Sequence, residues 1–357
     1  MLKPFWNRDN RLENQLMGIN YKMCLNNNSH IDLQMSGHSI NILDKGYLVL
    51  FGGYSNNRCR SNIYISDLED ISDTIDINLK YKNFIFHEVF VKDNQLPELA
   101  SSAMCSHPYK NIVYIFGGSG SIWGRTNSDH FIIVDFDSNT KSIKNITSGP
   151  PPMYGATLNY YNEKIYLYGG TNGTVFFNSL YEYDLNLEKW NLITTAGKIP
   201  EPKYKHSSVL IDEHLYIIGG GQYQPDDCDI KIHKLNLKTL MWSECKIYGD
   251  IPKESIANTS TYDPISKKIW IFGGRLYYDE KSNYLYSYDI ETLNCTKHST
   301  IINYNIDNSK LTINNIPIDK REFHAMTIYK NKLFIVAGST GLKRLNTVLV
   351  FHLPNFL

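Results

Sequence analysis

A double glycine that ends a short apolar run recurs along the chain, and this repeat constrains the fold more than any other feature. The runs read VLFGG, YIFGG, YLYGG, YIIGG, WIFGG and a degenerate FIVAG, and their first small residues are Gly52, Gly117, Gly169, Gly219, Gly273 and Ala337. The spacings between these positions are 65, 52, 50, 54 and 64 residues. Self-similarity with a period near 50 residues predicts a repeat architecture in which every unit contributes its own share of the core.

The third unit, residues 155–193, shows what one repeat contains. It holds four apolar runs of four to six residues, separated by Asn- and Gly-rich turns, at 156–160, 165–168, 180–185 and 190–193. Such runs are typical of short strands, and four antiparallel strands form one small sheet. Trp190 and Trp242 begin the fourth strands of units 3 and 4, and we expect both indoles to pack between adjacent sheets. Cys295 and Ile143 stand near this position in units 5 and 2.

Each double glycine is followed by a strand with an aromatic–acidic pattern, such as Tyr181-Glu182-Tyr183-Asp184, and together these features resemble the kelch-repeat family from Ser36 onward. The resemblance implies an all-β, six-bladed β-propeller with four-stranded antiparallel blades, a fold that leaves no long exposed sheet edge. We expect a poorly ordered leader at 1–20 and a single propeller at 21–357. The expected blades are 36–91, 97–147, 150–196, 202–247, 252–299 and 321–357. Because the last repeat lacks a fourth strand, residues 21–25 are expected to supply it and to close the ring.

Charge and cysteine content exclude several classes of function. Lys+Arg and Asp+Glu both number 36, so the net charge is zero and binding to nucleic acid or an anionic membrane is not favoured. The six cysteines are scattered without a CxxC pair, and no apolar signal segment precedes the repeats. We therefore expect a reduced protein of the cytoplasm or the nucleus. The two longer spacings reflect insertions at 69–82 and 300–320, which are expected to be loops, with or without a binding role.

Function on a propeller resides in the loops at its faces. The residues after each double glycine and those that begin each innermost strand should converge around one mouth of the central channel. Lys203, Lys205, Arg275 and Arg321 would make this mouth locally basic and suited to an acidic peptide or a free C-terminal carboxylate, because a guanidinium binds a carboxylate bidentately. The full set of candidate peptide-binding residues is Arg275, Lys203, Lys205, Tyr204, His206, Tyr154, Ser101, Ser102, Arg321, His324 and His38.

Three of these residues, His38, His206 and His324, begin equivalent strands and suggest a metal site as an alternative. No acidic or cysteine residue recurs beside them, so the competing interpretation is that each is hydrogen bonded to a neighbouring blade. No nucleophile elbow or phosphate-binding loop is present. The sequence therefore predicts a protein that is not an enzyme and that uses no cofactor or metal.

Several stretches resemble a subgroup of kelch proteins that serve as substrate receptors of cullin-2 RING ubiquitin ligases. These stretches are LPELAS at 96–101, MYG at 153–155 with YLYGGTNGTVFFNSLYEYDLN at 166–186, and PEPKYKH at 200–206. The resemblance implies recognition of a C-terminal degron, with Arg275 matching an arginine that contacts the substrate carboxylate. It also implies elongins B and C and cullin-2 as partners, if the native chain continues beyond Leu357. The alternative is a kelch scaffold that binds a protein partner through its long loops.

Overall fold

The computed structural model describes residues 33–44, 46–68, 86–89, 96–138, 140–144, 149–223, 228–298, 301–302, 305–307, 310–312 and 316–353. These residues form a six-bladed β-propeller, as the repeats predict. The innermost strands contact one another in sequence, and the sixth contacts the first, so the ring is closed. The expected leader 1–20, the strand 21–25 and the insertion 69–82 lie outside the described residues.

The strands follow one order in every blade, from the channel outward. The first strands are Ser39–Ile42, Ala103–Ser106, Thr157–Tyr161, Ser207–Ile211, Thr259–Asp263 and Ala325–Tyr329. The second strands are Tyr47–Phe51, Ile112–Phe116, Lys164–Tyr168, His214–Ile218, Lys268–Phe272 and Lys332–Val336. The third strands are Ile63–Asp67, Phe131–Asp135, Leu180–Asp184, Ile232–Asn236, Leu285–Asp289 and Val348–His352. The fourth strands are His87–Val89, Thr140–Lys144, Lys189–Ile193, Met241–Glu244 and Asn294–His298, and the described part of blade 6 has three strands.

Short additional pairings extend this plan. Ala196–Gly197 and Tyr248–Gly249 pair in parallel with the fourth strands of blades 4 and 5. Tyr54–Ser55 pairs with Arg58–Cys59 in a small hairpin of blade 1. In the second insertion, Ile301–Ile302 pairs with Ile316–Pro317 and Asn305–Asp307 pairs with Lys310–Thr312, so these described residues form antiparallel strands where a loop was expected. One 3₁₀ turn, Tyr277–Asp279, follows the fifth double glycine.

The core lies between the blades, because each second strand buries both of its faces. In blade 3, Ile165 and Leu167 pack toward blade 2, whereas Tyr166 and Tyr168 pack toward blade 4. Every one of the six interfaces holds such a cluster, including the interface that joins blade 6 to blade 1. Stability is therefore distributed around the ring, as expected for a repeat protein whose units contact only their neighbours.

The predicted packing of the tryptophans is confirmed. Trp190 lies 5.6 Å from Phe116 and 5.3 Å from Phe131 of blade 2, measured between ring centroids. Trp242 lies 5.1 Å from Tyr168 of blade 3. Cys295 takes the corresponding place in blade 5 and is buried against blade 4. For Ile143 the structure describes the backbone alone, paired with Ile132.

The double glycines bring neighbouring backbones into contact. Gly117 has a φ of 65°, and a Cβ there would lie 2.4 Å from the carbonyl oxygen of Met153 in the next blade. Glycine is favoured by this close approach and left-handed conformation together, and Ala337 occupies the equivalent position of unit 6 with a φ of 51°. The second small residue of each unit donates its N–H to the next blade at 2.8–3.0 Å; the bonds run from Gly53 to Leu99, Gly118 to Met153, Gly170 to Lys203, Gly220 to Ser255, Gly274 to Arg321 and Gly338 to Met35.

A second ring of equivalent positions lies just before the first strands. We call these positions the throat residues: Gly37, Ser101, Gly155, Lys205, Ala257 and Phe323. All six have φ between 53° and 67°. Gly37 donates its N–H to Phe323 at 2.8 Å, and the same bond links each successive pair as far as Ala257, which donates to Lys205 at 2.8 Å. The left-handed backbone therefore directs these residues at one another around the channel axis.

No helix in the described part of the chain combines the length and the apolar character that a membrane span requires. Among the cysteines that the structure describes, Cys59, Cys105, Cys245 and Cys295 are free thiols.

Candidate functional site

The face of the propeller that carries the throat residues forms the candidate site. Two sets of loops meet there, those that follow the double glycines and those that lead into the first strands, as antiparallel blade topology requires. Below the throat, a central cavity of about 470 Å³ is lined by the first strands of all six blades. Above it lies a smaller cavity of about 300 Å³ between blades 6, 1 and 2. We refer to the surface around the upper cavity and the adjoining loops as the mouth.

Aromatic side chains from blades 2, 3 and 4 form one wall of the mouth. Tyr154 and Tyr204 are buried at its base, with ring centroids 5.9 Å apart. Trp123 packs edge-on against Tyr154 at 5.1 Å, and Phe176 lies 5.4 Å from Tyr204 and 4.9 Å from Tyr223. Burial raises the pKa of Tyr154 to about 12, so its hydroxyl stays protonated and can act as a hydrogen-bond donor. Trp123 and Tyr223 remain 45% and 53% exposed, which leaves a rigid aromatic surface open to a ligand.

Charged residues from blades 5 and 6 form the adjoining wall, where Arg275 Nη2 donates to the carbonyl oxygen of Tyr223 at 3.4 Å. Arg275 Nε lies 3.6 Å from Glu322 Oε2, and its Nη1 lies 3.7 Å from Asp279 Oδ1. Lys281 Nζ lies 2.7 Å from Asp279 Oδ1 and 3.6 Å from Glu322 Oε1. Burial raises the pKa of Glu322, an effect that the two neighbouring cations oppose. Two cations and two carboxylates thus form a cluster without net charge.

Two of the four basic residues expected at the mouth point away from it. Lys203 is 4% exposed and its Nζ donates to the carbonyl oxygen of Gly219 at 3.1 Å. Arg321 is 1% exposed, and its Nη1 donates to the carbonyl of Ala337 at 3.1 Å and to Thr347 Oγ1 at 3.2 Å. Both side chains satisfy carbonyls at the end of a second strand inside their own blade. The mouth is consequently aromatic and charge-balanced, where the sequence predicts a basic one.

Lys205 lies at the throat itself. Its amino group donates a hydrogen bond across the channel to Ser101 Oγ, and Nζ is 4.9 Å from the ring centroid of Phe323. Burial, opposed by Glu322 and reinforced by Arg275, lowers the pKa of Lys205 to about 7. The adjacent Ser102 has a buried hydroxyl without a hydrogen-bond partner among the described residues. Lys205, Ser101 and Phe323 thus constrict the passage between the mouth and the central cavity.

The three strand-start histidines are buried between blades. His206 Nε2 is 2.9 Å from Thr157 Oγ1 of blade 3, and His324 Nε2 is 2.7 Å from Thr259 Oγ1 of blade 5. This confirms the hydrogen-bonded role for both residues. His38 Nε2 has no hydrogen-bond partner among the described residues, because Ala325 occupies the position of Thr157 and Thr259. In the part of the chain that the structure describes, no three His, Cys, Asp or Glu side chains converge as a metal ion requires.

The structure adds Trp123, Phe176 and Tyr223 to the mouth, which the sequence analysis did not predict there, and it confirms the expected place of Tyr54. Trp123, Phe176 and Tyr223 come from the loops after the second, third and fourth double glycines, and Tyr54 directly follows the first. Arg344 of blade 6 stacks on the Tyr54 ring, with its guanidinium carbon 4.6 Å from the ring centroid. Trp123, Phe176 and Tyr223 lie several residues beyond the position that directly follows the double glycine. An aromatic residue recurring in these loops was the available signal.

The six blades, the glycine-linked ring and the loops gathered at one mouth define a kelch-type β-propeller. Residues 113–347 match the Attractin/LZTR1 beta-propeller family, and the chain belongs to that family.

The chain is also similar to individual kelch proteins. It is 27% identical to human Kelch domain-containing protein 10 over 214 residues, which cover 58% of this chain and 47% of that protein. Its identity to the Xenopus tropicalis protein of the same name is 24% over 246 residues, or 67% of this chain and 59% of the relative. Tip elongation aberrant protein 1 of Schizosaccharomyces pombe is 26% identical over 207 residues, which cover 56% of this chain and 17% of that protein. The match thus spans about half the length of the human relative.

Proposed function

We propose that this propeller is a non-enzymatic protein-interaction module that binds the C-terminal end of a peptide at its mouth. The observation that carries this proposal is the aromatic wall. Trp123 and Tyr223 are exposed there, although Trp123 packs on the buried Tyr154 ring and Tyr223 on the buried Tyr204 ring. Trp and Tyr are enriched among the residues that dominate binding energy, because they offer a large contact area at a low cost in conformational entropy.

The proposal extends to substrate recognition in a cullin–RING ubiquitin ligase. It is supported by the resemblance of blades 1 to 4 to kelch substrate receptors and by the similarity to Kelch domain-containing protein 10. The bound peptide end would then be a C-terminal degron. Elongin B, elongin C and cullin-2 are the partners that this role requires. Co-precipitation of these three proteins with the full-length native chain tests the ligase role separately from peptide binding.

Peptide binding is tested with an array of peptides that end in each of the twenty residues, each made as a free acid and as a C-terminal amide. We expect the purified chain to retain a subset of the free acids. Trp123→Ala and Tyr223→Ala should each weaken that binding at least fivefold, as expected for central aromatic contacts. Tyr109→Ala is the matched control, because Tyr109 is 82% exposed in the turn after the first strand of blade 2, at the opposite face. Equal binding by all three variants would show that the peptide binds elsewhere than at the mouth.

A scaffold that binds a protein partner through its insertions is the second candidate. The observation in its favour is the β-hairpin within residues 300–320, where Asn305–Asp307 pairs with Lys310–Thr312. Replacing residues 303–315 with a short Gly-Ser linker should abolish capture of such a partner and leave the peptide array unchanged. If capture of the partner is unchanged by this replacement, the result supports binding at the mouth instead.

A further inference from the structure

The amine of Lys205 has no carboxylate partner. Its Nζ donates a hydrogen bond across the throat to Ser101 Oγ and lies 4.9 Å from the ring centroid of Phe323, and it makes no ion pair with the residues that the structure describes. The carboxylate of Glu322 is shared by Arg275 and Lys281 instead. A buried ammonium group without a counter-ion is energetically unfavourable, so this environment favours the neutral amine.

The neutral form of Lys205 is populated at physiological pH. Burial lowers the pKa of this lysine to about 7, so roughly half of the amine is unprotonated at pH 7, whereas an exposed lysine is almost entirely protonated. The charge of Glu322 from blade 6 opposes this effect and that of Arg275 from blade 5 reinforces it. His38 of blade 1 is neutral at pH 7, because burial lowers its pKa to about 4. A desolvated, neutral lysine amine is a nucleophile of the kind that forms imines with carbonyl compounds.

The central cavity gives a ligand access to this amine. Lys205 lines the cavity at the throat, and Pro108 and Tyr160 line it near the opposite face, so a small molecule can reach the amine without passing the mouth. Among the described residues, no Asp, Glu or Arg lines this space of about 470 Å³. Uncharged hydroxyl and amide groups dominate the lining, and they include those of Ser39, Asn41, Thr157, Asn159, Ser208 and Thr261.

Lys203 shows that a lowered pKa alone does not make such a site. Burial also lowers the pKa of Lys203, which lies two positions before Lys205. Its Nζ donates to the carbonyl oxygen of Gly219 inside the blade, and the residue lines neither the central nor the upper cavity. The two lysines therefore share their burial and differ in whether a ligand can reach the amine.

We propose that Lys205 is a covalent ligand-binding residue whose amine forms a reversible imine with a small hydroxylated aldehyde held in the central cavity. The nitrogen lone pair attacks the carbonyl carbon, and the proton that leaves the nitrogen is taken up by the carbonyl oxygen. Loss of that oxygen as water gives the imine, so no oxidant or reductant is needed. Ser101 is a positioning residue, because its hydroxyl holds Nζ at the top of the cavity. The hydroxyl and amide groups of the lining would hydrogen bond to the hydroxyl groups of the ligand.

Reductive trapping on the purified full-length chain tests the proposal. Glyceraldehyde is added at pH 7 with sodium cyanoborohydride, which reduces an imine to a stable secondary amine, and peptide mapping by mass spectrometry gives the modification rate of each lysine. Lys205 should react at least about tenfold faster than Lys110, which is exposed in the turn after the first strand of blade 2. Lys203 is the matched control and should stay unmodified. Isobutyraldehyde, which lacks hydroxyl groups, should give a smaller ratio of Lys205 to Lys110 modification.

A pH profile tests the environment of the amine separately. Trace acetylation with acetic anhydride between pH 6 and pH 9 should give a midpoint near pH 7 for Lys205, whereas labelling of Lys110 should still rise at pH 9. Glu322→Gln should move the Lys205 midpoint to lower pH, because the carboxylate raises the pKa of this lysine. Thermal unfolding establishes that the variant is folded.

The outcomes separate this inference from the proposed function, because the peptide array reports on the mouth and the trapping reports on the central cavity. Trapping at Lys205 no faster than at Lys110 overturns the proposal, and so does equal trapping at Lys203 and Lys205, since burial alone would then account for the reactivity. Equal ratios with the two aldehydes overturn the hydroxylated ligand class.

Discussion

Ala325 stands where two other blades have a threonine that is hydrogen bonded to the histidine of the next blade. Restoring this hydrogen bond should stabilise the protein. Blades 3 and 5 place a threonine hydroxyl 2.9 Å and 2.7 Å from the histidine of the next blade. At the junction of blades 6 and 1, the equivalent positions are Ala325 and His38, and Nε2 of the buried imidazole has no hydrogen-bond partner among the described residues. Ala325 lines the central cavity, as do Thr157 and Thr259, so a larger side chain has space there.

The expected gain from Ala325→Thr is about 1–2 kcal/mol in the free energy of unfolding, because a new hydrogen bond is formed and an unsatisfied buried nitrogen is paired. For a chain of this length, that corresponds to a rise of about 1–3 °C in the midpoint of thermal unfolding. Burial lowers the pKa of His38 to about 4, so the ring is neutral at pH 7 and its nitrogens can accept or donate.

Guanidinium titration and calorimetry at pH 7.5 measure the effect. Ala325→Val is the control, because it has the same shape without the hydroxyl and reports the change in packing and strand propensity alone. The Thr and Val variants should differ by the energy of the hydrogen bond, and this difference should vanish when His38 is replaced by Phe. Equal stability of Thr and Val in the wild-type background would refute the reasoning.

Three further predictions concern stability. Trp190→Ala should cost about 3–5 kcal/mol, because the indole fills the interface of blades 2 and 3; a loss under 1 kcal/mol in denaturant titrations would contradict that packing. Between pH 7 and pH 5 the unfolded state gains protons on His38 and His206 that the native state does not, since burial lowers their native pKa values to about 4 and about 3. Each of the two histidines should therefore lower the free energy of unfolding by about 2 kcal/mol between pH 7 and pH 5. His206→Gln should remove the part of this pH dependence that is due to His206. The lowered pKa of Lys205 should make wild-type stability rise between pH 7 and pH 9, a rise that Lys205→Met should lack.

The blades could be predicted from the sequence because the residues that shape each blade stand at fixed positions within each repeat. Glycine recurs at Gly117 and most equivalent positions, where two backbones meet, and Trp190 and Trp242 fill equivalent interfaces in successive repeats. These features recur at a fixed period, so one correctly interpreted repeat predicts the others.

The mouth was harder to predict because its chemistry is not periodic. Lys203 and Lys205 are two residues apart, yet one is buried inside its blade and the other crosses the throat. The charge of Arg275 is balanced by Glu322, which lies 47 positions further along the chain and meets it only because blades 5 and 6 are neighbours. Arg344 and Tyr54 belong to opposite ends of the repeat array and come together only when the ring closes. Such contacts depend on which loop faces which, and a repeat pattern contains no information about that.

The junction of blades 6 and 1 has a consequence for how ligands act on the whole molecule. It is the place where the repeat array begins and ends, and the bonds from Gly37 to Phe323 and from Gly338 to Met35 hold it together. A ligand that contacts both Arg344 of blade 6 and Tyr54 of blade 1 would bridge this junction. Its binding energy would then oppose opening of the entire ring, and the amide protons of Gly37 and Gly338 would exchange with solvent more slowly when the ligand is bound.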